Sequence, residues 1–533
     1  MLGRADGKSF DVLVVGGGAT GLGVAVDAAQ RGFSTCLVEA HDFAKGTSSR
    51  STKLVHGGVR YLEQLDIALV MEALHERGLM HQNAPHLVHD LAFLVPRYTW
   101  WEGPFFGAGL KLYDLLAGKR NLAPSKFLST AETIEAIPNV AREGLLGSIE
   151  YHDGQFDDAR MALTLARTAA DLGAVVLNQC RVTGLLKDSS GGVDAVHGVC
   201  ATDGESGRAM EIRATVVVNA CGIFGDELRL LDDGKAPRMI EPAQGVHLVF
   251  DKSLQPSARA IMVPHTDDGR VLFVIPWHDR IVVGTTDTPM KKAEIEPRAL
   301  PDEIEFILRN AGRYLERDPT RADVRSVYAG MRPLVHESGV DSPSKSLSRS
   351  HKVVVSASGM VSIMGGKWTT YRRMAEDTMA RVIDVGQLDR RPCGTESLRV
   401  HGWIARGDPA MPSDDWLRVY GSDAPAVLAV CAERPEWRES IHPRLPYPMG
   451  VVAYAARHEM ARSVDDVLAR RTRSLLLDAK VASESADSVA TNLASELGRD
   501  AQWASKDAAT FKAIATGYQL SPCSAGFEVH FDL

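Results

Sequence analysis

The sequence has no stretch of about 18 or more residues free of charge, which argues against a membrane-spanning helix. The first ten residues, MLGRADGKSF, carry no apolar core, so a cleaved secretory signal is not expected. The seven cysteines are odd in number, scattered over positions 36, 180, 200, 221, 393, 431 and 523, and never form a CxxC pair. That excludes a disulfide framework and a zinc ribbon and fits a reducing, cytoplasmic compartment. Basic runs are lacking, and the net charge of -8 argues against nucleic acid as a partner. Repeats and low-complexity tracts are missing too, and His458-Glu459 lacks the second histidine of an HExxH zinc motif. No metal site is expected.

What remains is a chain of 533 residues with ordinary apolar and charged fractions, long enough for two or three domains. Asp11–Val15 (DVLVV) reads as a strand buried on both faces. GGGATG follows, giving Gly16-x-Gly18-x-x-Gly21 with Gly17 between the first two, then the helix-like LGVAVDAAQRG and a second strand, STCLVE, ending at Glu39. Gly16 permits the tight turn, Gly18 lets the backbone approach a pyrophosphate, and Gly21 lets the helix pack closely. The helix N-terminus favours phosphate, and Glu39 is placed to accept hydrogen bonds from a ribose diol. This order points to a dinucleotide site but does not choose between NAD and FAD.

The next segment, TSSRSTKLVHGGVRYLE (47–63), is too polar for a buried strand and too rich in glycine for an ordinary helix. With the glycine motif it resembles the flavoprotein superfamily of glycerol-3-phosphate dehydrogenases and D-amino-acid oxidases. SSRSTKLVHGGVRYLE is similar to the signature of the FAD-dependent glycerol-3-phosphate dehydrogenases. QGVHLVF (244–250), FVIPWHDRIVVGTTDTP (273–289), YAGMRPL (328–334), GGKWTTYRRMAE (365–376) and YAARHEMARSVDDVLARRTR (454–473) extend the resemblance along most of the chain.

The resemblance implies FAD as cofactor and glycerol 3-phosphate as substrate. A membrane quinone is the implied electron acceptor, with a homodimer as the assembly. The segment after Glu39 would run beneath the flavin through Thr47, Ser48, Ser51, Thr52, Lys53, Gly57 and Gly58. Val182, in RVTGLL, would help hold the adenosine end. Gly222 ends the strand that returns to the flavin. Gly366, Lys367 and Thr369 open a helix whose N-terminus would stabilise negative charge on the reduced ring.

Oxidising a secondary alcohol beside a phosphate needs cations and a proton acceptor. Arg332 and Lys367, with Arg60 beside them, are the substrate candidates, and His56 and His247 are alternative bases. Taken singly, each of these is as well explained by a surface ion pair or a satisfied core group. Where the family usually reads NATGPW, this chain reads Asn219-Ala220-Cys221-Gly222-Ile223-Phe224, so a hydroxyl, a rigid turn and a large ring are lost near the flavin edge.

The expected fold is α/β: a Rossmann-like FAD domain of the glutathione-reductase, D-amino-acid-oxidase type, an antiparallel-sheet substrate domain and a C-terminal helical domain. The FAD domain would gather 1–80, 150–235 and 350–385; the substrate domain 81–149 and 236–349; the helical cap 390–520. Trp100–Leu116, WWEGPFFGAGLKLYDLL, has the composition of a surface-lying anchor on the inner face of a cell membrane, or of a helix packed on the protein's own core. A peroxide-forming oxidase, an amino-acid oxidase of the same superfamily and a flavin-binding scaffold without catalysis are the competing readings.

Overall fold

The computed structural model describes residues 2–59, 66–188, 194–336 and 351–520. Their strands, numbered along the chain, form two sheets, one of eight strands and one of ten.

The first sheet is built on β1 (Ser9–Val15). Parallel to it run β2 (Thr35–Val38) on one side and β10 (Ala209–Asn219) on the other. Beyond β2 lies β7 (Val175–Leu177), and beyond β10 lies β18 (Val361–Gly365), both parallel; β17 (His351–Val355) closes that edge antiparallel. β9 (Ala195–Asp203) and β8 (Cys180–Asp188) form an antiparallel flap on the start of β10. β1 is an apolar run because both its faces are covered: Val12 and Val14 pack into one core, Leu13 and Val15 into another. The helix Ala19–Gln30 packs between the helices Asp158–Asp171 and Tyr371–Gly386.

The second sheet is antiparallel apart from one parallel pair, β4 (Val88–Pro96) with β12 (Ala260–Val263). From β12 it continues through β13 (Leu272–Trp277) and β14 (Arg280–Gly284) to the long pair β11 (Ile240–Asp251) and β16 (Val324–Val335). β15 (Thr288–Pro289) adds to β11. From β4 it runs the other way to β6 (Ser148–Phe156), which also pairs with β3 (Leu54–Val55) and β5 (Lys126–Leu128). The division expected between 149 and 150 therefore falls inside β6, and both β3 and β6 belong to the second sheet. The cause is physical: β6 is buried along nearly its whole length, so its composition carries no mark of the sheet it joins.

The C-terminal helices do not stand apart. Leu468, Leu476, Val489 and Phe511 share one apolar core with Val249, Trp277, Val282 and Tyr328 of the second sheet. Among the described residues, no helix is long and apolar enough to cross a membrane.

Candidate active site

The carboxyl ends of β1, β2 and β10 converge on one crevice, because Val15 pairs with both Val38 and Asn219. Open parallel sheets bind ligands at this place. Gly16 turns there with φ +114°, a conformation that disfavours a side chain, and a Cβ on it would lie 2.5 Å from Ala220 O. A Cβ on Gly21 would overlap Gly16 O, so the helix Ala19–Gln30 starts directly against the turn. Gly18 caps that helix without a side-chain partner. Glu39 turns back onto the same loop: its carboxylate accepts from the Gly17 N–H at 2.6 Å and the His41 N–H at 2.8 Å. Burial raises the Glu39 carboxyl above the usual range, and those two N–H groups oppose the shift. Val182 packs against the cluster holding Val15 and Val38, as does Cys221.

Gly222 follows Cys221 with φ +56°. The Cys221 N–H is accepted by Asn219 Oδ1 at 3.2 Å, and its Sγ lies 3.5 Å from Val15 O. Burial, then the Glu39 carboxylate, raises this thiol above the ordinary range, which disfavours a reactive thiolate.

The polar segment 47–58 runs between the two sheets. Ser48 Oγ accepts from the Ala19 N–H at 2.9 Å, tying the segment to the start of the glycine-loop helix. Thr47 donates to Met331 O on β16 at 2.6 Å. Ser51 donates its N–H and hydroxyl to Asp158 Oδ2, at 2.9 and 2.7 Å. Lys53 does not face the site; its fully buried ammonium donates to Ser49 O and Asp158 Oδ2, both at 2.8 Å. The Gly57 N–H donates to Tyr113 Oη at 2.7 Å, and that hydroxyl donates to Asp153.

Beside this segment opens a cavity of about 320 Å³. His56, His247, Arg332 and Lys367 all line it, as do Thr47, Ser51, Thr52, Gly58, Gly366 and Thr369. Gly16, Gly17, Gly18, Gly21, Glu39, Ser48, Lys53, Gly57, Val182 and Gly222 do not. Arg60 lies outside the described residues.

Register explains the convergence. His247 on β11 faces Tyr328 on β16, and Ala243, four residues earlier, faces Arg332. Arg332 donates to Asp287 Oδ1 at 3.1 Å and Thr285 Oγ1 at 3.3 Å. The His247 ring stacks on Tyr328 with centroids 4.8 Å apart, and its Nε2 lies 2.9 Å from Thr52 Oγ1. Its Nδ1 has no hydrogen-bond partner among the described residues. Burial, then the charges of Lys53 and Arg332, holds its pKa well below the ordinary value, so the ring is neutral near pH 7. His56 meets Phe273 edge-on at 6.4 Å.

Arg270 also lines the cavity, and sequence reasoning did not single it out although it heads the RVLFVIPW run. It pairs with Asp268 at 2.8 Å through Nη2, while its buried Nε and Nη1 have no hydrogen-bond partner among the described residues. Such a guanidinium has donors to spare for an anion.

Residues 11–372 match the family model for FAD dependent oxidoreductases, and 358–504 that for the C-terminal domain of alpha-glycerophosphate oxidase. The chain is 40% identical over 523 residues to the mitochondrial glycerol-3-phosphate dehydrogenase of Mesocricetus auratus, spanning 93% of this chain and 71% of that protein. It is 41% identical over 525 residues to a mitochondrial glycerol-3-phosphate dehydrogenase of Arabidopsis thaliana, spanning 91% and 83%. The glycerol-3-phosphate dehydrogenase from Bacillus halodurans, complexed with FAD, superposes with a TM-score of 0.80 at 31% identity, over 99% of this chain and 98% of that one. The chain belongs to the family of FAD-dependent glycerol-3-phosphate dehydrogenases. The fold is shared more widely: L-α-glycerophosphate oxidase from Mycoplasma pneumoniae superposes with a TM-score of 0.56 at 16% identity, over 73% of this chain and 98% of that one.

FAD is the cofactor of this family, and the residues present fit it. The glycine turn with its open helix start, Glu39 beside it and the hydroxyl-rich segment 47–52 provide the donors and acceptors that a dinucleotide needs.

Proposed function

We propose that the protein oxidises sn-glycerol 3-phosphate to dihydroxyacetone phosphate and passes the electrons to a membrane quinone. The observation that carries this reading is the grouping of Arg270, Arg332 and Lys367 with two histidines in one cavity beside a dinucleotide turn. One cation would serve a carboxylate; several suit a phosphate dianion.

FAD, when bound, supplies the two-electron acceptor at its N5. Gly16, Gly17, Gly18 and Gly21 would hold its pyrophosphate, Glu39 its ribose, Val182 its adenosine end, and Thr47, Ser48, Ser51 and Thr52 the stretch toward the ring. Gly58 and Gly366 would shape the cavity wall, and Gly57 and Gly222 the turns behind it. Lys53 would act from behind, through Asp158. Lys367 and Thr369, at the start of the turn leading into the helix Tyr371–Gly386, would stabilise negative charge on the reduced ring.

Arg270 and Lys367 would anchor the phosphate. Arg332, oriented by Asp287, would polarise the oxygen on the reacting carbon. As the C–H electron pair leaves that carbon, its hydroxyl proton passes to His247, and a carbonyl forms. Burial keeps His247 neutral, so a ring nitrogen carries a lone pair for that proton, while the same burial and the nearby cations lower its basicity. His56 would border the substrate rather than take its proton.

The quinone assignment is supported by an exposed apolar patch. On the helix Glu102–Ala117, Phe105 and Leu115 are 52% and 76% exposed, as are Trp100 just before it (79%) and Phe127 on β5 (52%), whereas Phe106, Leu110 and Tyr113 of the helix pack inward. That division suits a helix lying in a membrane interface. Oxygen is the alternative acceptor, favoured by the match of 358–504 to an oxidase domain. Turnover by the FAD-loaded protein with a quinone analogue, set against oxygen uptake and peroxide release, separates the two. Faster turnover with oxygen would sink the quinone reading.

A further inference from the structure

The C-terminal helical unit reaches deep into the molecule through a cluster of arginines. Its π-helical turn Asp466–Arg471 ends in Arg470 and Arg471, and both pair with the buried Asp42, three residues after Glu39. Arg473 follows with φ +60° and a side chain 1% exposed. Its Nη2 donates to Ser49 O at 2.9 Å and to Asp158 Oδ1 at 2.8 Å. Nη1 donates to Ala469 O at 3.0 Å, and the guanidinium lies over the Trp277 ring.

Asp158 is the hub of this contact. Oδ1 also accepts the Ala159 N–H at 2.9 Å, while Oδ2 takes Ser51 N, Ser51 Oγ and Lys53 Nζ. Residues on both sides of Thr52 are thus tied to one carboxylate. Tyr328, whose ring stacks on His247, donates its hydroxyl to Ser51 O at 3.0 Å. Thr52 is left facing His247 at 2.9 Å. Burial, and then the Arg473 charge against the opposing pull of Asp158, brings the Lys53 ammonium down to about 7. Arg473 and Asp158 stand behind the cofactor segment; neither lines the cavity.

We infer that Arg473 of the C-terminal helical unit, acting through Asp158, is a positioning residue that fixes Thr52 against His247. This rests on His247 being the proton acceptor. The unit's contribution to the chemistry is then geometric: without the Arg473–Asp158 contact, the carboxylate that holds Ser51 and Lys53 loses its charged partner on Oδ1, and Thr52 shifts against the histidine. A misplacement of about 1 Å at such a pair costs up to about a hundredfold in rate.

The test is a double-mutant cycle in the FAD-loaded full-length protein, comparing Thr52→Val, Arg473→Gln and the double variant. Flavin reduction by glycerol 3-phosphate is followed without oxygen, and flavin content is measured alongside. The expected result is a loss of about tenfold or more in the limiting rate for each single variant, with the half-saturating substrate concentration nearly unchanged. The double variant is expected to be no slower than the slower single one. Losses that multiply, or wild-type rates in either single variant, overturn the inference. If Arg473→Gln does not fold, Arg473→Lys enters the same cycle; it keeps the charge but not the fork that spans Ser49 and Asp158, and partial activity with the same non-additivity is expected. His247→Gln separates the two readings. Wild-type reduction in that variant removes the proton-acceptor assignment, while the cycle still decides whether Arg473 positions Thr52.

Discussion

Thr52 Oγ1 lies 2.9 Å from His247 Nε2, bringing a hydroxyl from the cofactor segment onto an imidazole from the middle of the second sheet. The contact ties the segment leading into β3 to β11 at the cavity. We expect His247→Gln to slow flavin reduction by about a hundredfold to ten-thousandfold while the protein keeps its FAD. Anaerobic rapid mixing with glycerol 3-phosphate measures it, and a loss of only a few-fold would return the role to His56.

The same histidine sets a pH dependence of stability. Its folded pKa is depressed, so the unfolded chain takes up a proton first as pH falls below about 6.5. Its stabilising contribution is therefore present above about 6.5 and is lost progressively below it, toward the folded pKa. Melting temperatures recorded from pH 8 to pH 5 should fall more steeply for the wild type than for His247→Gln. Parallel curves would contradict the burial argument.

Gly21→Ala should yield protein without bound flavin, because its Cβ would overlap Gly16 O and force the helix away from the turn. The ratio of flavin to protein absorbance after purification reads this directly. Wild-type flavin content would mean that the glycine turn does not hold the nucleotide.

Arg270→Gln should raise the half-saturating concentration of glycerol 3-phosphate by about tenfold to a hundredfold, the loss expected for one hydrogen bond to a charged group. The limiting rate should change much less. Steady-state kinetics with a soluble acceptor distinguish this from an effect on the rate alone, which would place Arg270 nearer the reacting carbon than the phosphate.

Replacing Trp100, Trp101 and Leu115 by serine should weaken binding to vesicles containing anionic lipid. Cosedimentation measures it. Unchanged binding would place the membrane contact elsewhere, or nowhere on this protein.

The glycine turn was legible in the sequence because its parts are local: strand, turn, helix, strand and acid follow one another within Asp11–Glu39. The convergence of His247, Arg332 and Lys367 was legible only through resemblance, since they come from β11, from β16 and from the end of β18. The allegiance of β6 was not legible, because a strand buried on both faces looks the same in either sheet. Arg473 was hidden for another reason. It closes the stretch YAARHEMARSVDDVLARRTR, whose local spacing says nothing of partners such as Ser49 and Asp158, hundreds of residues away. Lys53 was placed at the cofactor by its neighbours in sequence, yet its left-handed backbone turns the side chain to the opposite side. Cys221, where the family usually has a threonine, meets a β1 carbonyl through its sulfur.

The most direct test of the account is the visible spectrum of the purified protein before and after adding glycerol 3-phosphate in the absence of oxygen. A yellow protein is expected, bleached by this substrate but not by glycerol or a D-amino acid. A yellow protein that glycerol 3-phosphate leaves unbleached would contradict the proposed chemistry of the cavity while leaving the dinucleotide site intact.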